Sequence, residues 1–393
     1  MLRPIVAGGL AERWRDGKPY VAAVAIYLCS RLVVLLAVDV AGIFLPLWKD
    51  DLWQAGPHWY DHLLRWDSEW YAGIAEHGYR YNGDPSDLQP VVFFPLYPLL
   101  ARFVAWVVGL SPAVALLVVA NVAAVLAVLL LCRLARRSCG DEVAVLAVAF
   151  LSFYPGSLFL SAGYSEPLAL LLILSCFTLL ADRRYILASA CAGLAVATRV
   201  AGIVLIPVLL WELWRQFRTD RRQLILHAVA CVVIASSGLW LYMIYLGATF
   251  GHPLAFADAQ AGFNGDTSLA TRFISAVTLQ PFLRLRFTDL TPAGLDQWFF
   301  VALVALSVLA WRRLSASLGL FSLGVMMLPY LTLSGGPAGL TSMTRFGVLA
   351  FPAFITLAEL SRRVPWLCIA IIGLLAAMLG LHAALFAQWY WVG

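Results

Sequence analysis

Two acidic residues, Asp67 and Glu69, stand in the segment RWDSEWYAGIAEHGY (65–79) of a chain that carries few charges of any kind. A carboxylate flanked by Trp66 and Trp70 suits general-base work, since the rings would shield it from water. An aspartate that opens a helix has a second use, capping the first backbone N–H groups. The residues alone leave both roles open. As a pair, Asp67-x-Glu69 is also a weak candidate for Mg²⁺ or Mn²⁺, which favour carboxylate oxygens, although no cofactor is firmly implied. His58 and His62 stand at i, i+4, a spacing zinc sites use. No third ligand lies near them, so an interfacial or core role is the plainer reading.

Four further ionisable groups fall inside or at the mouths of apolar runs, where charge is costly and therefore marks function. Arg31 lies within the first run, Glu166 in SAGYSEPLALLL, Arg199 in AVATRVAGIVL and Arg345 in TSMTRFGVLAFP. Internal ion pairs or snorkelling would account for each of them singly. Two arginines and a glutamate at one membrane level also suit an anionic headgroup, since arginine holds phosphate bidentately. The segment FGHPLAFADAQAGF adds His252, Asp258 and Gln260 as possible substrate contacts.

The elements that must hold these residues are transmembrane helices. Of 393 residues, 62% are hydrophobic and 12% charged, against about 45–50% and about 25% in soluble domains. The mean hydropathy is +0.85. The apolar runs are long enough to cross hydrocarbon as helix, not the short alternating segments of a barrel. Seven cysteines are scattered, mostly within those runs, and none has metal-ligand spacing, so they read as small buried hydrophobes. Basic residues gather in short tracts: 133–137, 183–184, 215–222, 312–313 and 362–363. Under the positive-inside rule these are cytoplasmic loops, which excludes a nucleic-acid groove as the meaning of the +5 charge. The basic N-terminus precedes a retained first helix, with no clear cleavage site. The scarcity of lysine suggests a GC-rich, bacterial genome.

Those tracts predict about eleven spans, at 20–46, 113–132, 143–161, 164–181, 185–198, 200–214, 224–247, 297–311, 315–333, 344–361 and 366–388. The N-terminus is then cytoplasmic and the C-terminus outside. The apolar run 93–109 would invert the charge rule if it crossed, and it contains two prolines and Arg102, so an interfacial or re-entrant helix is expected. The chain 1–393 forms one integral membrane domain with two long extracytoplasmic loops, 47–112 and 248–296. In the first, a helix from about Ser68 would align Trp66, Trp70 and Ile74 on an apolar stripe, with Glu69 and Glu76 on another face. Its many rings, Trp53, Trp66, Trp70 and Tyr71 among them, fit an aromatic belt or platforms for sugar rings.

Seven segments, in order and spacing, resemble the PIG-V family of mannosyltransferases, whose eukaryotic members add the second mannose in glycosylphosphatidylinositol assembly. They are SRLVVLL (30–36), RWDSEWYAGIAEHGY (65–79), VVFFPLYPLL (91–100), FLSAGYSEPLALLL (159–172), AVATRVAGIVL (195–205), FGHPLAFADAQ (250–260) and TRFGVLAFP (344–352). The resemblance implies an all-α polytopic membrane protein of the GT-C glycosyltransferase class, with membrane-associated helices in a large first external loop. It implies a polyprenyl-phosphate sugar donor, mannose in this family, used on the extracytoplasmic face. Asp67 occupies the position of the family's catalytic acidic residue and would deprotonate an acceptor hydroxyl in an inverting reaction. Arg199 and Arg345 would stabilise the departing lipid phosphate, while Tyr164 and Glu166 would shape the site. Position 69 is not usually acidic in the family, so Glu69 departs from the pattern and weakens the metal reading.

The expected protein is thus a multi-pass plasma-membrane mannosyltransferase acting on a lipid, glycolipid or protein hydroxyl. Three alternatives stand beside it: the same chemistry with another sugar, a lipid transporter or flippase, and an inert scaffold in a glycan-assembly complex. A transporter would place its polar groups at the midplane, within inverted repeats. Here they gather at one face, and no repeat is visible.

Overall fold

The structure is a computed structural model, and it describes residues 10–48, 58–265, 268–283, 292–333, 340 and 342–392. Trp53 and the rest of 49–57 lie outside the described residues. The described residues are helical, with no β-strand among them. Helices α1 (Leu10–Phe44), α2 (Asp67–His77), α3 (Leu96–Val108) and α4 (Pro112–Cys139) come first. They are followed by α5 (Asp141–Phe153), α6 (Glu166–Ala181), α7 (Tyr185–Thr198) and α8 (Leu205–Phe217). Next come α9 (Arg221–Ala235), α10 (Ser237–Phe250) and the short α11 (Ala255–Asp258), α12 (Gln260–Asn264), α13 (Leu269–Val277) and α14 (Gln280–Leu283). The chain closes with α15 (Pro292–Arg313), α16 (Ala316–Leu333), α17 (Met343–Gly347), α18 (Phe351–Ser361) and α19 (Pro365–Ala387).

Every expected span meets helix, but the expected count of eleven full crossings is not reached by length. Among the described residues six helices are long and apolar enough to cross a membrane, or seven if α9 and α10, bent by 48° at their junction, count as one. The others are shorter for a readable reason. Pro155 follows α5 and turns Tyr154 out of helical geometry (ψ 136°). Pro167 and Pro352 lie in the first turns of α6 and α18, where proline is tolerated at a start but cannot be preceded by more helix. Arg199 is extended (φ −155°, ψ 140°) after α7. These breaks all fall at one end of the bundle, and short 3₁₀ turns over Pro155–Leu160 and Val200–Val204 continue the path there.

The basic tracts lie together at the other end. Arg137 pairs with Asp182 (3.1 Å), Arg313 approaches Glu359 (4.0 Å), and Tyr185 packs on Phe217. Ser317 donates to Glu212, next to Arg215. Close helix crossings bind the bundle: a side chain at Gly238 on α10 would overlap the Gly193 carbonyl of α7, as at small-residue membrane contacts.

The run 93–109 forms α3, whose 13 residues reach only about 20 Å at roughly 1.5 Å per residue, short of the roughly 30 Å core. Its inward face packs on α2 and α4, while Phe103 and Trp106 point outward. Arg102 donates to the carbonyls of Ala75 (2.6 Å) and Ile74 (3.1 Å), supplying donors that the last turn of α2 lacks. The expected apolar stripe of α2 is corrected by one position. Ser68, Tyr71, Ile74 and Ala75 face inward, because Trp66 precedes the helix in a non-helical conformation.

Candidate active site

Glu166 is the hub of a charged cluster at the end where the helices break. Its side chain is fully buried and its Oε1 accepts from Arg199 Nη1 at 2.6 Å and from Arg345 Nε. Arg345 Nη1 in turn meets Asp67 Oδ2 at 2.7 Å. Two carboxylates and two guanidinium groups therefore alternate as Asp67–Arg345–Glu166–Arg199. Both carboxylates sit in the first turn of a helix, α2 and α6 respectively, where exposed N–H groups and the helix dipole favour negative charge. Pairing is what makes burial of four charges tolerable.

Aromatic rings wall the cluster. The Arg345 guanidinium lies over Tyr164 (4.8 Å) and near Phe159 (5.5 Å), and Arg199 lies over Phe346 (5.5 Å). The Tyr164 hydroxyl accepts from the Asp67 backbone N–H and donates to the Arg65 carbonyl, both at 3.3 Å. Tyr71 and Ser165 share a hydrogen bond of 2.8 Å, and Arg199 Nη1 also reaches Ser165 Oγ at 3.2 Å. Burial pushes the Tyr71 phenol up to about 12, so it serves as a neutral hydrogen-bonding group.

Asp67 is presented by an unusual backbone. Trp66, just before it, has φ +58° and ψ −117°, a region that costs a non-glycine residue on the order of 1–3 kcal/mol. Packing holds it there: the Trp66 ring lies 5.8 Å from Trp48, 5.7 Å from Trp389 and 5.2 Å from Trp391. The remaining exposure is uneven in a useful way. The Asp67 side chain is 16% and that of Arg199 13% exposed, whereas Glu166 is sealed. Among the described residues Asp67 Oδ1 accepts no hydrogen bond, and Arg199 bonds only through Nη1. Each outward group thus keeps capacity for a further partner. Among the described residues the buried Glu166 Oε2 has no hydrogen-bond partner either.

Comparison with known proteins fixes the family. The profile of the Mannosyltransferase (PIG-V) family matches residues 50–256, just over half of the chain. The chain belongs to the PIG-V mannosyltransferase family. Its described residues have a multi-pass, helical membrane build, with no strand among them. No curated protein matches it. Among solved structures it is similar to the oligosaccharyltransferase AglB from Archaeoglobus fulgidus in complex with an inhibitory peptide and a dolichol-phosphate. That likeness has 15% identity and a TM-score of 0.43, over 92% of this chain and 55% of the other. It is also similar to ArnT from Cupriavidus metallidurans bound to undecaprenyl phosphate, at 14% identity and a TM-score of 0.48, over 93% of this chain and 75% of that one. The chain spans just over half the length of the oligosaccharyltransferase.

In this PIG-V family member, Asp67, Tyr71, Tyr164, Glu166 and Arg199 lie within the matched stretch, and the fold brings Arg345 to them from outside it. Trp70 stands beside the cluster, stacked on Phe93 (6.0 Å) and edge-on to Phe263 (5.8 Å). Three expected site residues lie elsewhere. Arg31 is buried against the 155–160 turn and donates to the carbonyls of Ser152 (2.8 Å) and Ser157 (2.6 Å) and to the Ser161 hydroxyl (2.9 Å). It supports the α5 break and does not reach the cluster. His252 bonds Asp258 (2.6 Å) on a partly exposed turn, and Gln260 opens α12 beside it. That stretch packs on the first loop, where Gly262 N–H donates to the Pro85 carbonyl (2.9 Å) and Tyr242 hydroxyl to that of Val91 (2.8 Å).

Glu69 projects from the outer edge of α2, with Arg65 as its opposing charge; desolvation outweighs that arginine and raises its carboxyl above the usual range. Asp67 faces Arg345 instead, so the two carboxylates meet different cations. Sequence reading did not single out Trp389 and Trp391, 323 and 325 residues from Trp66, because no local pattern marks a contact of that separation.

Proposed function

We propose that this enzyme transfers mannose from polyprenyl-phosphate-mannose to the hydroxyl of a lipid, glycolipid or protein acceptor on the extracytoplasmic face, with inversion and with Asp67 as general base. The observation that carries the reading is the Arg345 bridge, which holds a partly exposed carboxylate next to a two-arginine cluster. A glycosyl transfer from a lipid phosphate needs both in one place. The base takes the acceptor proton as the hydroxyl attacks the anomeric carbon, and cations meet the charge that grows on the departing phosphate. Arg199, with most of its fork unused, and Arg345 are the cations. Asp67 Oδ1 is the oxygen left for the proton, while Arg345 orients the carboxylate through Oδ2.

The location of the cluster supports the sidedness. It lies at the end of the bundle opposite the basic tracts, and the positive-inside rule puts those tracts in the cytoplasm. The donor class rests on the family resemblance, and mannose is the sugar of that family. The loop segments around Asp67, 58–95, and 250–263 form the wall an acceptor would approach.

The test is direct. Purified protein with radiolabelled polyprenyl-phosphate-mannose and a membrane lipid extract should label one acceptor class. Asp67→Asn should lower that transfer by on the order of 10²–10⁴, the usual contribution of a general base, with thermal stability near wild type. Full activity in Asp67→Asn would remove Asp67 as the base. Movement of a lipid across vesicles without any glycosidic product would favour the transporter reading instead.

A further inference from the structure

We infer that Asp296, on α15, is a positioning residue for transfer, fixing the short segment that carries Arg345 by capping α17 from another helix. The inference rests on the reading of Arg345 given above. Asp296 is 4% exposed, and it makes no ion pair among the described residues. A carboxylate buried without a cation is costly unless backbone donors satisfy it. Its Oδ1 accepts from the Thr344 N–H at 2.6 Å. Thr344 is the second residue of α17, and its N–H is one of the donors a helix start leaves unpaired. The residue that would normally satisfy it, Ser342, is left-handed (φ 65°, ψ 12°) and its side chain makes no capping bond. Asp296 does so from 48 residues away in sequence, and Arg345 is the next residue after the anchored amide.

Two glycines close the other sides of the same segment. A side chain at Gly156, on the turn after α5, would overlap the Thr344 carbonyl. One at Gly347 would meet the Tyr154 hydroxyl at 2.6 Å. The Arg345 backbone is therefore pinned by a carboxylate on one flank and by close backbone contact on another. Neither Asp296 nor Gly156 is among the groups bonded to Asp67, Glu166 or Arg199. Their effect on chemistry has to pass through the position of Arg345, where a displacement of about 1 Å can cost on the order of 100-fold.

A double-mutant cycle separates positioning from general stability, because residues acting through one another are not additive. Donor KM, kcat and the thermal midpoint are measured for Asp296→Asn, Arg345→Lys and the double variant. Asp296→Asn keeps the shape and one acceptor oxygen, and should lower kcat/KM by about 10-fold or more in the native background. With Arg345→Lys, whose flexible ammonium no longer depends on a fixed fork, the same substitution should cost less than about 3-fold, while the drop in thermal midpoint stays equal in both backgrounds. An equal loss of activity in both backgrounds would overturn the inference. Should Asp296→Asn fail to accumulate, Gly156→Ala displaces the segment from its other flank and the same non-additivity is required of it. If Arg345→Lys alone leaves transfer unchanged, it is the reading of Arg345 that fails, not the capping role of Asp296.

Discussion

At the scale of single residues, Glu166 and Asp67 are both paired acids, yet removing them should have different consequences. Glu166 is sealed and shared by two arginines, so its loss leaves two buried cations short of a partner. Glu166→Ala should destabilise the fold by roughly 3–5 kcal/mol, as for a broken buried pair, and abolish transfer with it. Asp67 is partly exposed and holds only one end of Arg345, so Asp67→Asn should remove activity while sparing the thermal midpoint. Measuring midpoint and turnover on both variants tests the distinction; a stable Glu166→Ala protein would show that the hub is not structural. Asp67 and the arginines were legible as candidates because charge in an apolar chain is conspicuous. The hub role of Glu166 was not, since a carboxylate bridging positions 199 and 345 is a fact of three dimensions.

At the scale of elements, the site is made by helices that stop. Proline after α5 and at the starts of α6 and α18 leaves backbone groups unpaired at membrane depth, and buried donors must satisfy them. Arg31 does this for the α5 break through the carbonyls of Ser152 and Ser157. Arg31→Met should cost roughly 1–3 kcal/mol, because the Ser157 carbonyl loses its side-chain donor while that of Ser152 keeps the Ser157 hydroxyl. Thermal unfolding in detergent would check this; an unchanged midpoint would mean the turn holds without Arg31. Arg102 plays the same part at the end of α2. Both arginines looked functional or anomalous in sequence because their partners are backbone carbonyls, which no side-chain pattern announces.

At the scale of the molecule, ion pairs and packing bring the basic tracts to one end and the Asp67 cluster lies at the other. The proposed orientation predicts that a cysteine replacing Ser86, on the exposed loop between α2 and α3, reacts with an impermeant maleimide in intact cells. A cysteine replacing Arg218, in the basic tract after α8, should react only after permeabilisation. The reverse pattern would put the active site in the cytoplasm. Among the described residues six or seven helices are long enough to cross, against the eleven that charge placement predicts, because charge placement alone does not see where proline and arginine shorten them.

Composition and periodicity by themselves determined that the chain is a helical membrane protein, where its helices fall and which charges are too costly to be accidental. Those properties are local, or sums over the chain, and partition between water and hydrocarbon enforces them residue by residue. Seven short segments in register carried the family. What only the tertiary structure decided is which of those charges meet. Arg345 joins Asp67 and Glu166 across 278 and 179 residues, Trp389 and Trp391 brace the strained Trp66, and Asp296 caps a helix it does not belong to. Such contacts depend on helix ends arriving at one point, and that arrangement is set by packing of the whole bundle.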